Sequence, residues 1–214
     1  MLSASPRASQ YRTAMKITIF SGDICDVDAE AICTSTNPRL SLAMGTGGSV
    51  RHRGGHQILR QCERIVAAEY RRSGFRMLSP GSAHVTRSGD LPARIIVHCV
   101  ASDSAHKSSE GIIRRCVGNA LARADESSCS TVAMPLFGAG HAGFEFSRAL
   151  TAIAETLRDT STNVSHVYIV VYDPERAEEA RRQVQGVIPD AEIGAQRGPD
   201  RNAESAGPLT SGWH

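Results

Sequence analysis

Nothing in this 214-residue chain approaches the ~18 consecutive apolar residues that a membrane-spanning helix needs, so a soluble protein is expected. Charge of one sign is equally scarce. With 24 basic and 22 acidic residues the formal net charge is +2, too small a field to hold a polyanion by counterion release, and bulk nucleic acid is not an expected partner. The six cysteines (Cys25, Cys33, Cys62, Cys99, Cys116 and Cys129) include no CxxC pair, and no secretory signal precedes them, so a reducing cytoplasm is the expected compartment. Cys33, Cys62 and Cys99 lie in the apolar runs AEAICT, ILRQCERIV and RIIVHCV, where a free thiol behaves as a small buried hydrophobe. Cys25 has no adjacent base that would make it a nucleophile. The histidines and cysteines also lack the close spacings of a structural zinc site, so no metal is expected.

The two ends carry no apolar periodicity. Residues 1–14 are rich in Ser, Ala and Arg, and residues 185–214 mix Gly, Pro, Gln and charge; both read as disordered tails around one domain at 15–184. Within that domain the pattern alternates. Short β-branched runs, KITIF (16–20), EAICT (30–34), AHVT (83–86), RIIVHCV (94–100), TVAMPLF (131–137) and HVYIVVYD (166–173), predict strands. Helical spacing recurs in three stripes. They are Ile58, Leu59, Cys62, Ile65, Val66 and Tyr70; then Ile112, Ile113, Cys116, Val117, Ala120 and Leu121; then Phe146, Ala149, Leu150, Ile153 and Leu157. Strands alternating with helices imply an α/β fold with a largely parallel or mixed sheet, covered on both faces, whose ligands collect at the carboxyl ends of the strands.

Two loops at such ends are rich in glycine. Met44-Gly45-Thr46-Gly47-Gly48-Ser49 precedes a helix near residue 56, and Gly138-Ala139-Gly140-His141-Ala142-Gly143 joins a strand to the next helix. Glycine lets backbone amides approach an anion, and a helix N-terminus adds partial positive charge, so two such loops suggest a diphosphate. Either is also explicable as a tight turn. The second loop matches GxGxxG, which raises a Rossmann-type, NAD-dependent enzyme as a rival. That rival wants the fingerprint at the start of the sheet, whereas here it comes next to last.

In order along the chain, KITIFSGDI, AEAICTSTNPRL, GTGG, GSAHVTRSGDLPARIIVHCV, MPLFGAGHAGF and VYIVVYD resemble the macrodomain family, a collinear match from about Lys16 to about Arg182. The resemblance implies a three-layer α/β/α sandwich with a central mixed sheet. It also implies ADP-ribose as ligand, and in many members removal of ADP-ribose from proteins, nucleic acids or O-acetyl-ADP-ribose. Asp23 would accept from the adenine amino group beside the Ile24 amide, unless it only caps a turn. Asn37 would contact the distal ribose or position a water, unless it only shapes the turn before Pro38. Gly45, Thr46, Gly47 and Gly48 would line the distal ribose and phosphates, and Gly138, Ala139, Gly140, His141, Ala142 and Gly143 would wrap the diphosphate. Phe144 packs near the ribose or joins the helix stripe. Tyr172 or Asp173 stands where family members pack a residue on adenine, although a Tyr in VYIVVYD also suits a core.

Several residues depart from the family pattern. Thr34 replaces the first Asn of its Asn-Ala-Ala-Asn segment, Ala142 replaces a common aromatic, and no carboxylate lies between Asn37 and Glu63, so a water-activating Asp cannot be carried over. Histidines remain for acid–base work. His141 is best placed, and with Asn37 it forms the expected catalytic pair. His52 and His56, with Arg51 and Arg53 in RHRGGH, suit a phosphate or an acidic substrate, or a solvated basic turn. His98 reads as a satisfied core histidine. The sequence thus predicts a protein that binds ADP-ribose or an ADP-ribosylated macromolecule without any required cofactor. The activity readings, in order, are an ADP-ribosyl hydrolase, a non-catalytic reader and a Rossmann-type enzyme.

Overall fold

Each β-branched run of the sequence forms a strand. In the computed structural model, which describes residues 15–199, these are β1 (Lys16–Ser21), β2 (Ala31–Thr36), β3 (Ala83–Arg87), β4 (Ile95–Val100), β5 (Thr131–Pro135) and β6 (His166–Val171). With β7 (Ile193–Arg197) they form one sheet in the order β3-β4-β2-β5-β6-β1-β7. Only the β3–β4 pairing is antiparallel, so the sheet is mixed.

Period-two alternation sorts the strand residues between two cores. Ile17, Ile19, Ala31, Cys33, Val97, Cys99, Val167 and Ile169 pack on one face with residues of α3 (Glu110–Glu126), α4 (Phe146–Asp159) and α5 (Pro174–Val187). Phe20, Ile32, Ile96, Val100, Ala133 and Val170 point to the other face, onto α1 (Gly45–Gly54), α2 (His56–Ser73) and a 3-10 turn at Ile24–Asp26. This is the expected three-layer α/β/α sandwich. The α3 and α4 stripes are buried throughout. In α2 only Ile58 and Cys62 are buried; Tyr70 is exposed beneath the Arg76 guanidinium, 5.0 Å from its ring. All six cysteines are free and buried.

One expectation is corrected. Structure continues past residue 184, because α5 runs to Val187 and β7 pairs in parallel with β1 from Ile17↔Ile193 to Ser21↔Arg197. The segment looked like a tail because α5 buries only Ala180 and Val184, and β7 is an edge strand with no buried residue. The tails expected at 1–14 and beyond 199 lie outside the described residues. The strand order also differs from the 3-2-1-4-5-6 of a Rossmann domain, and the GxGxxG loop follows the fifth strand rather than the first.

His98, on β4, is fully buried between two threonines: Thr34 Oγ1 lies 2.9 Å from Nδ1, and Thr86 Oγ1 lies 2.9 Å from Nε2. The Thr86 hydroxyl donates to the Arg87 carbonyl at 3.1 Å, so its oxygen is left to accept from His98 Nε2–H, and the Thr34 hydroxyl donates to Nδ1. This bonding requires a neutral ring. Burial holds the imidazole pKa down at about 3, from 6.5. Between those values the unfolded chain binds a proton that the folded chain refuses, so stability is full above pH 6.5 and falls as the pH drops toward 3. Urea unfolding should therefore show a loss of about 2–3 kcal/mol attributable to this group between pH 7 and pH 4.5. His98→Gln should start less stable and lack that component; an unchanged pH dependence in the variant would refute the assignment.

Candidate active site at the open centre of the sheet

The central strands β2 and β5 are in register at only two places, Ala31↔Val132 and Ile32↔Ala133, whereas β2 follows β4 through six. Toward their carboxyl ends β2 and β5 share no further ladder. The segments leaving them diverge as well, β2 leading to α1 on one face and β5 to α4 on the other. Such a switch point in an open α/β sheet makes a ligand crevice.

On the β2 side, the run expected to be a loop ahead of a helix is itself the first turn of α1. Its glycines concealed a helix, since glycine is a poor helix former. The turn is fixed by close packing: a Cβ on Gly47 would lie 3.2 Å from Leu42, and the Thr46 hydroxyl accepts from the Ser35 amide at 3.2 Å. Met44 at the N-cap provides no side-chain bond. The amides of Gly45, Thr46 and Gly47 therefore head a helix with neither an intrahelical partner nor a side-chain cap, while Gly48 N already bonds Met44 O.

On the β5 side, the Ala139 amide bonds Leu136 O, the Gly143 amide bonds Gly140 O, and the Phe144 amide bonds Gly138 O. These turns use none of the amides of Gly140, His141 and Ala142. The start of α4 is not available in the same way, contrary to expectation: the Glu145 carboxylate accepts from the Ser147 and Arg148 amides at 2.7 and 2.9 Å, and these bonds hold its carboxyl below the usual range. A built-in anion thus neutralises that helix end. Phe144 packs against the core with Arg148 over its ring at 5.2 Å. Gly138 has φ +75, and a Cβ there would fall 2.4 Å from Ser108 Oγ, so only glycine lets this loop rest on the one after β4.

At the ends of β1 and β6, Asp23 caps the 3-10 turn. Its Oδ1 accepts from the Cys25 amide at 2.8 Å, its Oδ2 accepts from the Ser49 hydroxyl at 2.5 Å, and Arg53 stands 3.8 Å away. Arg53 is bonded to Asp26 at 2.7 Å, so it belongs to this network rather than to an open basic cluster; Arg51, His52 and His56 are exposed. Ile24 is buried. Burial pushes the Cys25 thiol up to about 11, which removes it as a nucleophile. Tyr172 is 83% exposed and is not core; Asp173 caps α5 through the Glu175 amide.

Asn37 directly follows β2, and its Oδ1 accepts from the Arg39 and Ser41 amides at 3.0 and 3.3 Å. The turn role and a ligand role are compatible, because Nδ2 remains a donor. Thr34 is buried against His98 and takes no part in the crevice. His141 is exposed on its loop, with the His106 ring 5.9 Å away in an edge-on arrangement. Four rim carboxylates are tied to backbone amides: Asp23, Asp103, Glu145 and Asp173. Sequence reasoning missed Ser49, His106 and Ser108, whose contacts join segments far apart in sequence.

A seven-stranded mixed sandwich opened at its centre, with two groups of uncapped amides at the opening, defines a three-layer α/β fold with a crevice suited to an anion. A family model described as Macro domain matches residues 33–153. A macro domain-containing protein of Streptomyces coelicolor is 34% identical over 165 residues, covering 77% of this chain and 95% of its own. A Pantoea vagans protein named O-acetyl-ADP-ribose deacetylase 1 is 30% identical over 166 residues, covering 75% and 93%. Among solved structures, a mutant Oceanobacillus iheyensis macrodomain with ADPR superimposes with a TM-score of 0.72 at 21% identity, covering 84% of this chain and 98% of that one. The chain belongs to the Macro domain family.

The Gly138 contact yields a direct expectation. Gly138→Ala combines left-handed strain with a steric conflict at Ser108, and should cost about 1–3 kcal/mol in urea unfolding. Gly140→Ala, with nothing within 4 Å of the added methyl, should stay within about 0.5 kcal/mol of the parent. Equal costs at the two positions would contradict the packing described.

Proposed function

We propose that this chain binds ADP-ribose across the opening between β2 and β5, and hydrolyses the bond joining the distal ribose to an attached group in the cytoplasm. The observation that carries this reading is the pair of uncapped amide groups, Gly45–Gly47 and Gly140–Ala142, at the ends of adjacent strands. A diphosphate has one anionic centre for each. Gly48, Gly138, Ala139 and Gly143 shape the two segments that present them.

The remaining groups suit the rest of such a ligand in the order of the strands. Beside β1 and β6, the Asp23 carboxylate retains lone pairs for the adenine amino group, next to the Ile24 amide, and the exposed Tyr172 ring offers a stacking face. Beside β2, Asn37 Nδ2 is a donor for the distal ribose. Among the described residues no group of three or more His, Cys, Asp and Glu could hold a metal ion, and the reading invokes none. The tied carboxylates leave proton transfer to His141, with Asn37 orienting the attacking water; Phe144 shapes the wall beside it. The Pantoea relative, named for deacetylation of O-acetyl-ADP-ribose, supports hydrolysis. A second reading, binding without turnover, draws on the missing carboxylate between Asn37 and Glu63.

Calorimetric titration of ADP-ribose, with parallel assays of release from ADP-ribosylated protein and of O-acetyl-ADP-ribose deacetylation, separates these readings. Micromolar binding is expected, weakened roughly tenfold to a hundredfold by Asp23→Ala through loss of a charge-assisted hydrogen bond. His141→Ala should bind ADP-ribose comparably yet turn over substrate on the order of a hundredfold more slowly. Binding without turnover in the parent protein would leave the reader reading standing, and no binding at millimolar ADP-ribose would defeat both.

A further inference from the structure

We propose that His106 is a second imidazole of this site, placed at the end of the cleft that receives the distal ribose and whatever it carries, where it discriminates among ligands. The inference rests on the ADP-ribose reading above. Strand order gives the direction: in the sequence β4-β2-β5-β6-β1, adenine groups lie at β1 and β6, the Gly140–Ala142 amides at β5, and Asn37 at β2. Continuing the same way, the next loop is the one after β4, which carries His106.

That loop is built to present one side chain. Asp103 Oδ1 accepts from the Ala105 and Lys107 amides at 2.9 Å each, the Asp103 amide donates to Lys107 O at 2.8 Å, and the His106 amide donates to Asp103 O at 3.1 Å. The knot forces His106 to φ +58, a left-handed conformation that a β-carbon makes costly and that is often retained where it aims a functional group. The exposed ring stands 5.9 Å from His141, with the planes at 80°. A few residues on, Ser108 sits under Gly138, so the two loops share a foundation as well as a ring contact.

β2 lies between β4 and β5, so the loops that meet at this ring contact belong to the two strands flanking β2, the strand that Asn37 directly follows. Each ring can donate or accept, which suits ribose hydroxyls and an ester or glycosidic oxygen beyond them. The prediction is therefore selective: His106 contributes to ligands that possess a distal ribose and not to ADP.

Imidazole carbon–proton NMR signals of the full chain, titrated with ADP and then with ADP-ribose, test it. ADP should move the Gly140–Ala142 amide signals and that of His141, whereas ADP-ribose should move the His106 signal as well. His106→Gln, with unchanged melting temperature, should weaken ADP-ribose roughly threefold to tenfold and leave ADP unaffected, the range expected for one ring contact or hydrogen bond. A His106 signal that stays put at saturating ADP-ribose while the Gly140–Ala142 amides shift would overturn the inference alone. So would equal weakening of ADP and ADP-ribose by the variant. If neither nucleotide moves those amides, the ADP-ribose reading fails first and takes this one with it.

Discussion

The feature on which the rest of this molecule depends is the short register between β2 and β5. Two paired positions hold the two halves of the sheet together at their amino ends, and the carboxyl ends are then left to diverge. A sheet laddered to its rim would set its helices side by side and leave no concavity. Here the burial that pays for the opening comes from the two cores on either face, which continue across the gap through Ala31, Cys33, Val132 and Met134 on one side and Ile32 and Ala133 on the other.

Charge at the opening is arranged by subtraction. The macrodipoles of α4 and α5 and the end of the 3-10 turn are each answered by a carboxylate of the chain itself, Glu145, Asp173 and Asp23. Among the described elements at this rim, α1 alone starts without a polar cap. An incoming anion thus meets one uncapped helix and one uncapped loop instead of a diffuse positive field, in keeping with a chain whose net charge is +2.

Much of the fold was legible because burial imposes periodicity. β1 through β6, the stripes of α3 and α4, and the neutral buried His98 all follow from apolar spacing. What escaped notice were elements that bury little: α1, written in glycine and basic residues; α5, anchored by Ala180 and Val184; and β7 at the edge. For α5 a local signal was available, since Asp173 followed by Pro174 and Glu175 is an N-cap with proline in the first turn. At the site, the glycines, Asp23 and Asn37 were visible as types at a spacing. The engagement of Arg53 with Asp26, of Ser49 with Asp23, and of His106 with His141 was not, because each joins segments far apart in sequence.

The last strand has a practical side. β7 covers the outer edge of β1 along its length, and just beyond it the Gly198 amide bonds Ser21 O beside the Phe20 ring, immediately before the Gly22-Asp23 turn. A chain cut where apolar periodicity fades, near residue 184, would bare the hydrogen-bonding groups of a hydrophobic strand and invite sheet-to-sheet association. The polar segment that resembles a dispensable tail is thus the molecule's guard against its own polymerisation, and it abuts the turn that carries the Asp23 cap.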